Sequence, residues 1–472
     1  MLAPANMSQT LLLRGQYHRC AAMVAMRSFS GAVSASSSAV DQMIDYAMGQ
    51  RKTNPDMAVD VLMSGLSYTS PQADPIGNAQ LHLSIAQLEA DRNRWANAHA
   101  QASSGLRVSA QSVAGSAAAA ELAYASGSLA TRALLVMGHD SEARSLASEC
   151  EAALRATAPP AAAGPQAASS STGGSAAHIR SLGLLALAAR TVAAASADGE
   201  VDALASALGS DPAAATRAER SLADAAQSLG LLRALQGRTQ EAEVALAAAA
   251  EAAAAERAEP AASTSGWARE QHNCEVEADA LTGRAQLLMR SREWGEAEEL
   301  LGAALKAAEA AHGERSPSLA PLLTLLGYTY SRSARVTFAE GLFREAAKLL
   351  RLDPSRVHQQ QSQQEQQPAE QQQQSASPLL RTAADSGVHA SAVAVLAWRY
   401  AQLLWVLPNR GGEAARWEGC ARQFWAASGG LAGREIEAML GGEGHLKGEG
   451  PEGSGVMFST RFRRAWPCSP NP

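Results

Sequence analysis

Aromatic residues are scarce in this sequence, at 4% of 472 residues, and with them goes most of the raw material for β-sheet. Alanine is plentiful instead, in tracts such as 247–255, broken only by Glu251. Alanine is the best helix former, and its small side chain lets helices approach closely. No run of about 18 uncharged apolar residues occurs, so no membrane span is expected. Nor is there a basic excess: 40 Lys and Arg against 46 Asp and Glu leave a formal charge of −6. A nucleic-acid binder draws most of its affinity from neutralising phosphates, so none is expected as a partner. The five cysteines (Cys20, Cys150, Cys274, Cys420 and Cys468) form no CxxC pair. That spacing supplies neither a disulfide framework nor a zinc site, and it suits a reducing compartment.

Motifs of catalysis are missing too. There is no HExxH, no Walker phosphate loop and no GxSxG. Gly448, Gly450 and Gly453 formally spell GxGxxG, but they lie in an acidic, proline-containing stretch with no strand before or helix after, so the match is empty. The histidines are dispersed: His82 and His99 fall in one repeat, His139 and His312 in turns. None pairs with a second ligand at metal-binding spacing, and no carboxylate pair offers acid/base chemistry. Neither an enzyme nor a cofactor is expected.

At the N-terminus the absence is of acid. Asp41 is the first acidic residue, and before it stand Arg14, Arg19 and Arg27 among serines and Leu11–Leu13. An acid-free, Arg- and Ser-rich leader has the chemistry of an organellar transit peptide. Arg27-Ser28-Phe29-Ser30 resembles a mitochondrial processing site, so residues 1–29 are read as a mitochondrial leader, with the chloroplast as the alternative address.

What the rest contains is a repeat. Leu323, Gly327, Tyr330, Ala339, Phe343 and Ala346 place large and small residues at fixed intervals over two helices. One unit upstream the frame recurs at Leu281, Ala285, Trp294, Ala297, Leu301 and Ala304. Fainter copies run through Gly237–Ala242, Gly138–Ala143 and Trp95–Ala98, each with a turn ahead of its small residue. Degenerate pairs follow around 179–208 and 386–427. This pattern resembles the tetratricopeptide-repeat superfamily, which implies an all-α superhelix, a right-handed solenoid of about six or seven helix pairs. Ala297 and Ala339 lie 42 positions apart, more than the ordinary 34-residue step, and Ala311–Pro317 is similar to the extended loop of kinesin-light-chain-type repeats. The layout also resembles mitochondrial tetratricopeptide-like proteins of plants and algae.

Composition divides the chain further. Repeats are expected over 38–156, then a flexible Ala/Pro/Gly/Ser linker over 157–175 and central repeats over 176–356, strongest at 278–350. A Gln-rich, low-complexity insert follows over 357–378, then a degenerate helical repeat over 379–440. The Gly/Glu-rich end, 441–472, is expected to be a disordered tail, although Arg461–Trp466 has the make-up of a short docking peptide.

Stacked helix pairs form a groove lined by the first helix of each pair. The resemblance places groove positions at Thr282, Gln286, Met289 and Arg290 in one unit and at Thr324, Tyr328, Ser331 and Arg332 in the next. Arg290 and Arg332 have the bidentate geometry to receive a carboxylate. The Lys and Asn residues of a chaperone-binding carboxylate clamp are replaced by Thr282, Gln286, Thr324 and Tyr328. The function implied is a non-catalytic scaffold or adaptor that holds an extended peptide or helix of a protein partner. An organellar RNA-binding helical-repeat protein is the alternative; the acidic chain and the 42-residue step count against it.

Overall fold

The computed structural model describes residues 39–112, 116–155, 172–192, 198–209, 211–258, 266–354, 378–429, 434–441 and 455–468. The leader read at 1–29, residues 157–171 of the linker and residues 357–377 of the Gln-rich insert lie outside them.

Local sequence starts the helices. Asn54, Asp74 and Asp211 each cap a helix whose first residue is proline, their carboxylate or amide oxygens accepting backbone N–H bonds. Proline there forfeits an N–H that has no helical partner anyway. The helices follow one another as antiparallel pairs: α1 (Ala39–Gln50) with α2 (Pro55–Tyr68), α3 (Pro75–Asp91) with α4 (Trp95–Ala110), and α5 (Ala117–Met137) with α6 (Asp140–Arg155). Next come α7 (Thr172–Val192) with α8 (Asp198–Leu208), the short α9 (Pro212–Ala218), and α10 (Ala223–Leu235) with α11 (Thr239–Ala258). The series continues with α12 (Gly266–Arg290) and α13 (Trp294–His312), then α14 (Ala320–Arg332) and α15 (Val336–Leu349). It closes with α16 (Pro378–Asp385), α17 (Ala390–Val406) paired to α18 (Gly411–Ala427), and α19 (Ile436–Leu440). The molecule is an all-α helical-repeat solenoid.

A single turn geometry joins the helices of most pairs. Asn93, Gly138, Gly237, Arg292, Ala334 and Asn409 all have a left-handed backbone, with φ between 58° and 81°. After the first five of these, the next residue's N–H reaches back to the carbonyl five positions earlier, as from Arg94 to Glu89 O at 2.8 Å and from Glu293 to Leu288 O at 3.0 Å. This is the Schellman closure that satisfies the last carbonyls of a helix. Five residues beyond each left-handed position lies an alanine with no exposed surface: Ala98, Ala143, Ala242, Ala297, Ala339 and Ala414. The turn thus sets the phase of the second helix and delivers its smallest side chain to the crossing. Of the repeat-frame residues, Ala285, Ala297, Ala339, Phe343 and Ala346 are fully buried, and Leu281 and Leu323 nearly so. Trp294 and Tyr330 are half-buried at the edge of the same core.

Residues 455–468 do not form the disordered tail expected of them. Val456–Ser459 (β1) and Arg464–Pro467 (β2) form an antiparallel hairpin, with Val456 opposite Pro467, Met457 opposite Trp466, Phe458 opposite Ala465 and Ser459 opposite Arg464. Met457, Phe458, Phe462 and Trp466 are each at most 2% exposed. Two strands are marginal by themselves in water; these persist because helices cover them, which composition near the hairpin gives no hint of.

Glycine at the crossing is a steric requirement at Gly230, where a Cβ would lie 2.6 Å from Leu246 Cγ and 3.1 Å from the Leu246 backbone nitrogen. At Gly341, on α15, a Cβ would meet nothing within 4 Å. Gly230→Val is therefore expected to destabilise the fold by about 1–3 kcal/mol through overpacking. Gly341→Ala should instead gain up to about 1 kcal/mol of helix propensity. Urea denaturation of the two variants measures both, and an unchanged midpoint for Gly230→Val would remove the close-approach argument.

Candidate functional site

The first helices of successive pairs present one common face, and the hairpin lies against it. Strand β1 packs on α10 and α12, and β2 packs on α17. That is why every residue of α10 is buried, as are fifteen of the seventeen residues of α17; only Trp405 and Val406, at the end of α17, are exposed.

The hairpin's edges are read by side chains. Gln286 on α12 accepts from the Phe458 N–H at 2.8 Å and donates to the Phe458 carbonyl at 3.0 Å. On the opposite edge, the Ser391 hydroxyl of α17 accepts from the Ala465 N–H and donates to its carbonyl, both at 3.1 Å. A lone hairpin would leave these buried groups without partners, at roughly 1–3 kcal/mol each.

The hairpin's loop is held by a single carboxylate. Asp279 accepts from Thr460 N at 2.6 Å, Thr460 Oγ1 at 3.0 Å, Arg461 N at 3.3 Å and Ser459 Oγ at 2.8 Å. Gln227 adds a further donor. Burial pushes the Asp279 carboxyl up, and the donors from Ser459, Thr460 and Arg461 pull it back.

Three arginines of the hairpin then tie it to separate repeats. Arg461 donates to Asp224, Tyr124 and Ser128 on α10 and α5, each at 3.4 Å. Asp224 also takes Arg180 Nε at 3.0 Å; despite full burial, these arginines and His272 hold its carboxyl well below the usual range. Burial, with Asp224 alongside, pushes the Tyr124 hydroxyl up to about 12. Arg464 forms a bidentate pair with Asp140, at 2.5 and 2.7 Å. Arg463 faces no acid at contact distance. It lies over the Trp95 ring at 4.7 Å and donates to Asn93 Oδ1 and Gly387 O, and burial draws its guanidinium down to about 10.

The positions expected to line the groove behave differently from one another. Gln286 is engaged by the hairpin as described. Arg290 donates to Ala234 O at 3.3 Å and to the Cys468 thiol at the hairpin's end; an incoming carboxylate would have to displace the chain's own Cys468. Thr282 is buried and donates to Ala278 O of its own helix, as Thr324 does to Ala320 O. Tyr328 is half-buried, edge-on to Trp294 and covered by Arg399 at 4.0 Å. Arg332 lies over Trp294 at 5.8 Å. Unit one therefore faces the hairpin, and unit two is packed into its own neighbours.

Sequence reasoning missed Asp279, Asp224 and Ser391. Asp279 was within reach, because it lies one turn before Thr282 on the stripe that continues to Gln286 and Arg290. Asp224 occupies the same place one unit earlier, six residues before Gly230 as Asp279 is six before Ala285. Ser391 carries no such signal.

Beyond the hairpin's loop the inner face opens into a cavity of about 510 Å³, walled by α3, α5, α10 and α12, with Arg461 at one side. Among the described residues no group of His, Cys, Asp and Glu could hold a metal, and no helix is long and apolar enough to cross a membrane. The Tetratricopeptide repeat family model matches residues 276–351, the stretch holding Asp279, Gln286 and the two best-formed units. No curated protein matches the chain.

Two outcomes follow. Gln286→Glu keeps the acceptor for Phe458 N–H but sets a carboxylate against the Phe458 carbonyl. It should lower stability by roughly 1–3 kcal/mol and loosen the environment of Trp466, read by near-ultraviolet circular dichroism; a native spectrum and midpoint would contradict the clamp. Acid should also weaken the fold. Glu275, despite burial, is held down to about 2 by Arg132 and His312, and burial draws His312 down to about 3. Both folded-state values lie below the ordinary 4.5 and 6.5, so each contribution is complete above the ordinary value and is lost as pH falls towards the folded one. The denaturation midpoint should drop progressively from about pH 6.5 to about pH 2; a flat profile would refute it.

Proposed function

We propose that this protein is a non-catalytic interaction scaffold that works in mitochondria and holds a polypeptide segment of its partner on the inner face of the superhelix. The observation that carries the reading is the Gln286 clamp, in which a groove side chain pairs with both main-chain groups of Phe458. A surface able to satisfy a polypeptide backbone inside a solenoid is a surface suited to polypeptide ligands. Tetratricopeptide repeats generally mediate protein–protein contacts, and the matched stretch includes this clamp.

In the chain alone, the middle of the inner face is filled by its own hairpin. The partner is therefore received on the part that stays open, or competes with the hairpin for the rest. The acid-free leader supports the mitochondrial address. The 42-residue step, with its nineteen-residue α13 and the helical turn at Pro317–Leu319, supports the reading of 278–350 as kinesin-light-chain-type repeats.

Proximity labelling in the organelle, followed by cross-linking of the purified full chain to the labelled proteins, tests the scaffold. Cross-links should map to α3, α5 and α10; cross-links confined to the second helices of the pairs would reject the inner face. Isolated mitochondria should import the chain and shorten it, and failure to import would sink the location. No RNA binding that weakens steeply with salt is expected; finding it would favour an RNA-binding helical repeat.

A further inference from the structure

The cavity beside the hairpin's loop repeats the logic of the clamp with the polar groups of one helix uncommitted. Helix α3 shows it Gln80, Ser84, Gln87 and Asp91, which recur every three or four residues and so form one stripe. Among the described residues none of the four side chains has a hydrogen bond or ion pair, and Gln87 Oε1 is a buried acceptor. Across the cavity stands Asn273 of α12, 3% exposed, whose amide is likewise unpaired.

The repeat frame identifies these residues with ones already seen at work. The left-handed turn residue comes seven after the crossing residue, at Arg292 after Ala285 and at Asn93 after Ala86. In that register Gln87 holds the place of Gln286, Gln80 that of Asp279, and Asp91 that of Arg290. The position that grips the hairpin's main chain in one unit is thus an unpaired glutamine in another, on the same face.

Charge adds direction. Four other acids of the wall contact arginines: Glu121 and Asp224 meet Arg180, Glu275 meets Arg132, and Glu256 meets Arg269. Asp91, open to the cavity, has no arginine at contact distance; Arg51, Arg463 and Arg132 act on it only from farther off. The surrounding walls desolvate it and hold its carboxyl above the usual range, as befits a carboxylate deep in a concave site without a contacting cation.

We propose that this cavity is the docking site for an extended segment of a partner protein carrying a lysine or arginine. Gln87 and Asn273 pair with the segment's main chain, and Asp91 receives its cationic side chain. The proposal rests on the scaffold reading and names the chemistry of its partner. The occupant is a polypeptide because amides at this frame position pair with main chain in the same molecule, and it is basic because Asp91 is a wall acid that, among the described residues, has neither a hydrogen bond nor a contact ion pair.

Short random peptides displayed on phage and selected against the purified full chain provide the test. Selected peptides should carry lysine or arginine. A synthetic binder should lose on the order of tenfold to hundredfold in affinity on Asp91→Asn or Gln87→Leu, with the melting temperature unchanged. Replacing its basic residue by norleucine should abolish the sensitivity to Asp91→Asn. Binders that tolerate both substitutions would overturn this site while leaving the scaffold standing, and the absence of any binder would overturn both. Binding that emerges only after removal of residues 1–38 would assign the cavity to the chain's own basic leader instead of a partner.

Discussion

The burial of the Asp279 carboxylate under the hairpin's loop is the interaction on which the inner face depends. An ionised group in that position is tolerable only if its lone pairs are filled, and Ser459, Thr460 and Arg461 fill them with main-chain and hydroxyl donors. The requirement is mutual, because a loop buried among helices must find acceptors for its own N–H groups. Gln286 and Ser391 solve the same problem along the two edges. The hairpin is therefore an element of the core, covering α10 and all of α17 but its exposed last two residues, Trp405 and Val406.

This changes the mechanics of the array. A repeat solenoid is ordinarily quasi-one-dimensional, each unit touching only its neighbours. Here fourteen residues near the C-terminus reach into several units together, with Arg461 on Asp224, Arg463 on Asn93 and Arg464 on Asp140. His389 donates its backbone N–H to Arg463 O, so the last helix pair meets the same hairpin as the earlier ones. Buried ion pairs add little net stability after desolvation. Their effect here is on register: a hairpin displaced by one residue would put its arginines among apolar side chains and its Phe and Trp against carboxylates. The apolar surface of Phe458, Phe462 and Trp466 supplies the attraction, and the charges select the position.

The same arrangement bears on what the groove has left to offer. A groove filled at its centre recognises partners at its open end or not at all, unless the hairpin yields. The open end is lined by α3, whose amides sit in the register of residues that already hold a polypeptide main chain. One frame, repeated along the chain, thus provides internal closure where a hairpin covers it, and the proposed recognition where nothing does.

The helices and their pairing were legible because they depend on neighbours in sequence. Alanine tracts, proline after a capping Asn or Asp, and a left-handed turn residue five positions before a small one act over a few residues and leave a local mark. The two units at 276–351 and the buried frame from Leu281 to Ala346 follow from that spacing. The fate of the last residues does not. Val456–Pro467 follows a Gly/Glu-rich stretch and has few residues with which to build a core, so by composition it reads as a tail. It becomes a hairpin because Asp279, Gln286 and Ser391, more than seventy and up to about 180 residues away, supply the partners that its backbone lacks. Sequence alone determined a helical repeat; only the tertiary structure decided that the chain fills the middle of its inner face itself, because burial and hydrogen-bond satisfaction between distant residues leave no periodic trace.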